Sequence, residues 1–183
     1  MRYCKPIEQD VSQIHNLLEQ NIQSNLNSFD QGFLCNSIPL AELQKRIRYG
    51  HYNRIVADDK VIGYLLAFDN QEAEEYLQLG YLAYENNIFF QHLNLKEKFI
   101  WLDQLCIIKE ERGRGYGRYL LKQSIEEYQE NGYNNFYGIV SISPNFNLRS
   151  FTFLHKTFGI NVISTLDINS IKWALVKLNT HGI

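Results

Sequence analysis

The sequence predicts an α/β fold, a mixed central β-sheet of about six or seven strands with helices on both faces. Three stretches carry that expectation. Residues 99–108, a glycine-rich turn, a helical pattern from Gly117 and the run 136–142 form a strand–helix–strand unit, whose crossover implies parallel pairing. Residues 54–58 and 60–68 are β-rich runs joined at Asp58-Asp59, the pattern of an antiparallel hairpin. Residues 160–165 and 171–178 form a second β pair, turned at 167–170. With 183 residues and 45% hydrophobic content, the chain suits a single domain spanning 1–183.

Taken in order, residues 1–7 read as a short strand closed by Pro6. Val11, Ile14, Leu17, Leu18 and Ile22 then recur at helical spacing with Asp10 as N-cap, so an amphipathic helix of about three turns follows. Residues 21–37 are polar, interrupted by Gly32 and anchored by Phe29, Phe33 and Leu34, which predicts a loop. Pro39 opens a second helix through Leu40, Leu43 and Ile47, stopped at Gly50. After the hairpin, 69–98 starts acidic (Asp69, Glu72, Glu74, Glu75) and turns aromatic (Tyr76, Tyr81, Tyr84, Phe89, Phe90), which predicts part helix and part loop. The strand at 99–108 is apolar on both faces, as a central strand covered on both sides requires. In the following helix Leu120, Leu121, Ser124, Ile125 and Tyr128 share one face, with Lys122, Glu126, Glu127 and Glu130 opposite, and Asn131-Gly132 ends it. Residues 147–158 form a short helix ended by Gly159.

Arg112-Gly113-Arg114-Gly115-Tyr116-Gly117 sits between the central strand and its helix. Glycines there let the backbone turn tightly and bring its N–H groups close to a ligand, and the helix start adds free donors and a positive dipole end. Arg112, Arg114 and Arg118 add positive charge where the dipole alone favours acids, a local penalty that a bound polyanion offsets. A phosphate-bearing ligand is therefore expected. The P-loop pattern is excluded because no Gly-Lys-Ser/Thr follows, and the dinucleotide fingerprint because its third small position falls on Arg118.

The pattern that fits is Arg/Gln-x-x-Gly-x-Gly/Ala, met by Arg112, Gly115 and Gly117, and at this point the chain resembles the GNAT superfamily of acetyl-CoA-dependent N-acetyltransferases. The predicted element order is also that of the GNAT fold. The resemblance implies acetyl-CoA as acyl donor and no metal. It assigns Arg112, Gly113, Arg114, Gly115, Tyr116, Gly117 and Arg118 to the coenzyme pyrophosphate, and the backbone of Leu105, Cys106 and Ile107 to the pantetheine arm. Asn147-Leu148-Arg149-Ser150 is similar to the family's Asn-x-x-Ser/Ala segment, so Asn147 and Ser150 are expected at the cofactor. His155-Lys156-Thr157-Phe158-Gly159-Ile160 resembles Tyr/His-Glu-Lys-x-Gly-Phe, whose first residue faces the thiol as general acid. Counting forward from Asn147 puts Leu154 at that position, whereas counting back from Gly159 puts His155 there. His155 is the expected acid, because Leu cannot donate a proton. A proton supplied by water, or no acid at all, stays open.

Acetyl transfer to an amine also needs a proton removed as the tetrahedral intermediate forms. Asp103 is the only acid inside the central strand, and strict alternation puts it on the face of Leu105 and Ile107. The resemblance, in which a carboxylate on this strand is a common base, makes it the expected base. Cys106 has no neighbouring group in sequence that marks an activated thiolate, so direct attack in a ternary complex is expected over an acyl-enzyme. The resemblance implies a small-molecule or peptide amine as acceptor. Asp69, Glu72, Glu74 and Glu75 are available to attract it or to form a solvated helix face, and the aromatic residues of 76–90 to line its pocket or to pack the core. Two other readings compete. One is a non-catalytic acyl-CoA-binding module. The other is an RGG-like nucleic-acid contact, weakened because this single copy lies between a strong strand and a strong helix.

A formal charge of −2 gives no global basic surplus for nucleic acid or an anionic membrane. Cys4, Cys35 and Cys106 are odd in number and widely spaced, which suggests neither a disulfide framework nor a zinc motif. No apolar run approaches a membrane span, and residues 1–6 lack a signal-peptide core, so a cytoplasmic monomer or homodimer is expected.

Overall fold

The computed structural model describes residues 1–22, 34, 37–49, 51–79, 84–90, 93–94 and 96–180. Its strands are β1 (Arg2–Cys4), β2 (Asn53–Ala57), β3 (Lys60–Asp69), β4 (Phe99–Ile107), β5 (Asn135–Ser143), β6 (Ile160–Ile168) and β7 (Ile171–Leu178). The helices are α1 (Val11–Glu19), α2 (Leu40–Tyr49), α3 (Asn70–Leu79), α4 (Tyr84–Phe90), α5 (Tyr116–Glu130) and α6 (Leu148–Phe158). The strands form one seven-stranded sheet in the order β1-β2-β3-β4-β5-β7-β6, mixed as expected. All neighbours pair antiparallel except β4 and β5.

Turn chemistry accounts for both hairpins. Asp58 and Asp59 adopt positive φ of 48° and 59°, and Asn169 and Ser170 adopt 52° and 63°, so each pair reverses the chain with the twist that tight hairpins need. The second hairpin is longer than expected, because β6 continues to Ile168.

Helices cover both faces. Leu120, Leu121, Ile125 and Tyr128 of α5 pack with Leu65, Ala67, Ile100 and Phe136 on one face, and α6 joins that face through Phe151 and Leu154 against Val140, Ala174 and Val176. On the other face, α1 and α2 bury Ile14, Leu17, Leu18 and Leu43 against Tyr64 and Leu66. Tyr76 of α3 and Phe89 and Phe90 of α4 pack there with Phe68, Phe99 and Trp101, and the Phe90 and Trp101 rings meet edge-on at 4.4 Å. These aromatic residues therefore build core; Tyr81 lies outside the described residues, as do 23–33 and Gly50.

Asp10 departs from its expected role. Its side chain makes no capping bond to α1; Oδ2 instead accepts the Ile7 N–H at 2.6 Å, and Oδ1 pairs with the buried guanidinium of Arg54, tying the helix start to β2. Among the described residues, no helix is long and apolar enough to cross a membrane.

Burial holds several protons in place. The Cys106 thiol is pushed up from 9.0 to about 11 by burial, and burial also drives the phenols of Tyr52, Tyr64 and Tyr128 well above 10.0. The folded chain thus keeps protons that the unfolded chain releases, so this contribution to stability is complete below the unfolded values and is lost as pH rises through 9 and beyond. The urea midpoint should fall between about pH 8 and about pH 10.5, and less steeply in Tyr64→Phe. A midpoint constant over that range would contradict the burial of these groups.

Candidate active site

The parallel pairing of β4 with β5 stops almost as soon as it begins. Phe99, Ile100 and Trp101 pair with Asn135, Phe136 and Tyr137, and the register ends there. At the apex Gly138 lies so close to the Leu102 carbonyl oxygen that a Cβ would approach it to 3.1 Å. Beyond the apex the strands separate around a cavity of about 970 Å³, lined by 102–107 of β4, Ile139 and Val140 of β5, and the first turns of α5 and α6. Leu105, Cys106 and Ile107 thus border the cavity, on a stretch of β4 without a β5 partner.

A bulge sets the geometry inside β4. Leu66 pairs with Gln104 and Ala67 with Leu102, so Asp103 is the extra residue. The bulge overturns the expectation that Asp103 shares a face with Leu105 and Ile107. Those two pack toward α5, whereas the Asp103 carboxylate lies 3.9 Å from the Arg46 guanidinium of α2. Arg46 is itself buried, 2.7 Å from Glu42 and over the ring of Tyr76. Asp103 still lines the cavity. The sequence carried a sign of this cluster, since Arg46 falls on the stripe of α2 that also carries Leu43.

The glycine loop has the conformation its composition demands. Gly113 and Gly115 take φ of 81° and 87°, where a side chain would be strained, and a Cβ at either would meet nothing within 4 Å. Gly115 starts α5 with no side-chain cap, and the first turn holds no acid. The amides of Tyr116, Gly117 and Arg118 therefore lack helical acceptors and carry the positive end of the dipole. Gly117 packs near Ile107 and Phe153, both 3.6–3.7 Å from a virtual Cβ.

The arginines divide their work. Arg112 donates from Nε to the Ile107 carbonyl at 2.9 Å and from its terminal nitrogen to Asn21, bracing the end of β4 against the segment after α1. Arg114 is exposed and pairs with Glu111 at 3.0 Å. Arg118 lines the cavity mouth and has no ion-pair partner among the described residues. Arg149, on the first turn of α6, is also exposed and lines the cavity. In the sequence Arg149 stands only as part of the Asn-x-x-Ser motif, and its signal is one more cation at a second helix start.

At α6, Asn147 is the N-cap, its Oδ1 accepting the Ser150 N–H at 3.2 Å. Both residues line the cavity. His155 does not: it is exposed, and Leu154 and Thr157 face the cavity in its place. The helix phase set at Asn147 carries Leu154 inward and turns His155 to the outer face near the helix C-terminus, a favourable place for a basic side chain. Cys106, buried and with its thiol proton retained, offers no thiolate at neutral pH.

Comparison with known proteins places this geometry. A family model described as the acetyltransferase (GNAT) family matches residues 24–160. No curated protein matches the sequence. Among solved structures, an N-acetyltransferase from Staphylococcus aureus Mu50 is 14% identical, with 97% of this chain and 100% of that one covered and a TM-score of 0.64. The yncA protein of Salmonella typhimurium, solved with its cofactor acetyl-CoA, is 13% identical over 100% of this chain and 95% of its own, with a TM-score of 0.63. The PaiA N-acetyltransferase of Thermoplasma acidophilum, in complex with coenzyme A, is 12% identical over 97% and 98%, also at 0.63. At such identities the structural likeness speaks for the fold, and the family model for the lineage: the chain belongs to the acetyltransferase (GNAT) family.

Proposed function

We propose that the protein transfers an acetyl group from acetyl-CoA to a primary amine by direct attack in a ternary complex. The observation that carries this reading is the parting of β4 from β5 in front of an uncapped, glycine-started helix. The amides around Gly113–Gly117 hold the pyrophosphate, with Arg118 adding charge, and Asn147 and Ser150 border the pantetheine. The edge of β4 at Leu105, Cys106 and Ile107, which has no β5 partner, holds the arm by hydrogen bonds, and two fold relatives were solved with acetyl-CoA or coenzyme A bound.

In the reaction the amine nitrogen attacks the thioester carbonyl, a C–N bond forms, the C–S bond breaks and coenzyme A leaves as thiolate. Asp103 takes the amine proton, in the position its bulge gives it at the strand opening. The thiolate takes its proton from water, since the inward residue of α6 is Leu154. Coenzyme release with a panel of amines tests the enzyme against a module that only binds acyl-CoA: release requiring an amine supports the reading, and binding without release with any amine overturns it.

Three substitutions separate the roles. Asp103→Asn should lower turnover by about 10²-fold and move its pH profile upward, toward the pKa of the free amine, because catalysis then waits for amines deprotonated in solution. Glu42 stays with Arg46 in this variant, which protects the fold. An unchanged profile removes Asp103 from the mechanism. His155→Ala should leave kcat within about twofold, and Cys106→Ala should keep activity. A kcat collapse in the histidine variant restores it as the acid, and an inactive Cys106→Ala that still binds acetyl-CoA favours an acyl-enzyme.

A further inference from the structure

At the end of the sheet opposite the glycine loop, His51, Asp69 and Glu72 meet. His51 precedes β2, Asp69 ends β3 beside Ile100, and Glu72 lies in the first turn of α3. His51 Nε2 is 3.3 Å from Asp69 Oδ2 and 3.8 Å from Glu72 Oε2. One ligand atom from each of the three residues lies within 4.8 Å of the others. None of the three lines the cavity.

Helix capping explains part of this arrangement. Asp69 Oδ1 accepts the Gln71 and Glu72 N–H groups at 2.9 Å, and Glu72 Oε2 accepts the Asp69 N–H at 2.9 Å. Tyr133 donates its hydroxyl to Asp69 Oδ2 at 2.6 Å. Two features are left over. Glu72 Oε1 is buried with no hydrogen-bond partner. The two carboxylates, whose side chains are only 10% and 15% exposed, pair with no lysine or arginine among the described residues, and one imidazole is their whole basic complement. Asp69 is buried and Glu72 largely so, and two carboxylates in that setting call for more positive charge than one imidazole.

We infer that His51, Asp69 and Glu72 bind a divalent metal ion, Zn²⁺ by preference. An imidazole nitrogen with two carboxylate oxygens suits zinc better than Ca²⁺ or Mg²⁺, which favour all-oxygen shells. Bonds of about 2.0–2.2 Å in a tetrahedron separate ligand atoms by about 3.3–3.6 Å, and the imidazole nitrogen already stands 3.3 and 3.8 Å from the two carboxylates. The metal takes Nε2, so the imidazole proton sits on Nδ1; a water completes the shell, and Tyr133 steadies Asp69 from outside it. His51 is 29% exposed, which leaves the ion a path in. The bound ion clips the entry of β2 to the β3–α3 junction, as a structural fastener apart from the cavity. The sequence hid it because the ligands, at 51, 69 and 72, follow no recognised metal spacing.

Calorimetric titration of the tag-free chain with Zn²⁺, with Co²⁺ as spectroscopic probe, tests the site. One equivalent of Zn²⁺ should bind and raise Tm, and bound Co²⁺ should show four-coordinate d–d bands without thiolate charge transfer. Glu72→Gln retains an acceptor for the Asp69 N–H and should weaken binding at least about tenfold, as should His51→Gln. Circular dichroism without metal checks that each variant folds, and the Co²⁺ spectrum of the unaltered chain stands whether or not they do. Absence of saturable Zn²⁺ binding, a thiolate charge-transfer band, or unchanged affinity in either folded variant overturns the assignment.

Discussion

β4 and β5 share three residue pairs and then separate, and a row of backbone donors and acceptors from Leu102 onward is left facing a cavity in place of a neighbouring strand. Backbone polar groups at such a depth need partners, so this row must be met by water or by a ligand that offers matching groups along an extended chain. The rest of the fold holds that gap open. Gly138 against Leu102 fixes the apex. Leu121 of α5 and Leu154 of α6, with Ile139 of β5, line the opening as apolar walls. Arg112 braces the far end by binding the Ile107 carbonyl and Asn21 together.

The same packing gives the glycine loop its direction. Leu120, Leu121 and Ile125 are fully buried against the sheet, so α5 has little freedom to move and its uncapped N-terminus is aimed before any ligand arrives. Preorganised dipoles bind anions without the ordering cost that a mobile loop would incur. The bulge at Asp103 does comparable work on β4. It turns Asp103 toward Arg46 and keeps Leu105 and Ile107 on the α5 side, so one strand serves a polar cluster and an apolar core within a few residues.

What could be read from the sequence was local. Positive φ at Gly113 and Gly115, the Asp58-Asp59 turn and the apolar stripes of α1 and α5 depend on residues and their immediate neighbours, and the structure carries each of them. The misplaced residues depend on partners distant in sequence. Asp103 changes face because β3 lacks a residue opposite it, which no reading of β4 alone reveals. His155 falls outside the cavity because helix phase is set at Asn147 and not at Gly159. Phe89 and Phe90 turn out to be core, a choice that composition leaves open. The two hairpins and the parallel unit followed from periodicity and turn residues, whereas the insertion of β7 between β5 and β6 is a property of the assembled sheet.

A crystal structure of the chain grown with acetyl-CoA tests the central claim most directly. The account predicts diphosphate oxygens on the amides of 113–118 and a pantetheine arm hydrogen-bonded to the β4 backbone at 105–107, with β4 and β5 still apart beyond Trp101. Coenzyme density elsewhere on the surface, or a β4–β5 ladder closed along its whole length with the loop empty, would contradict it.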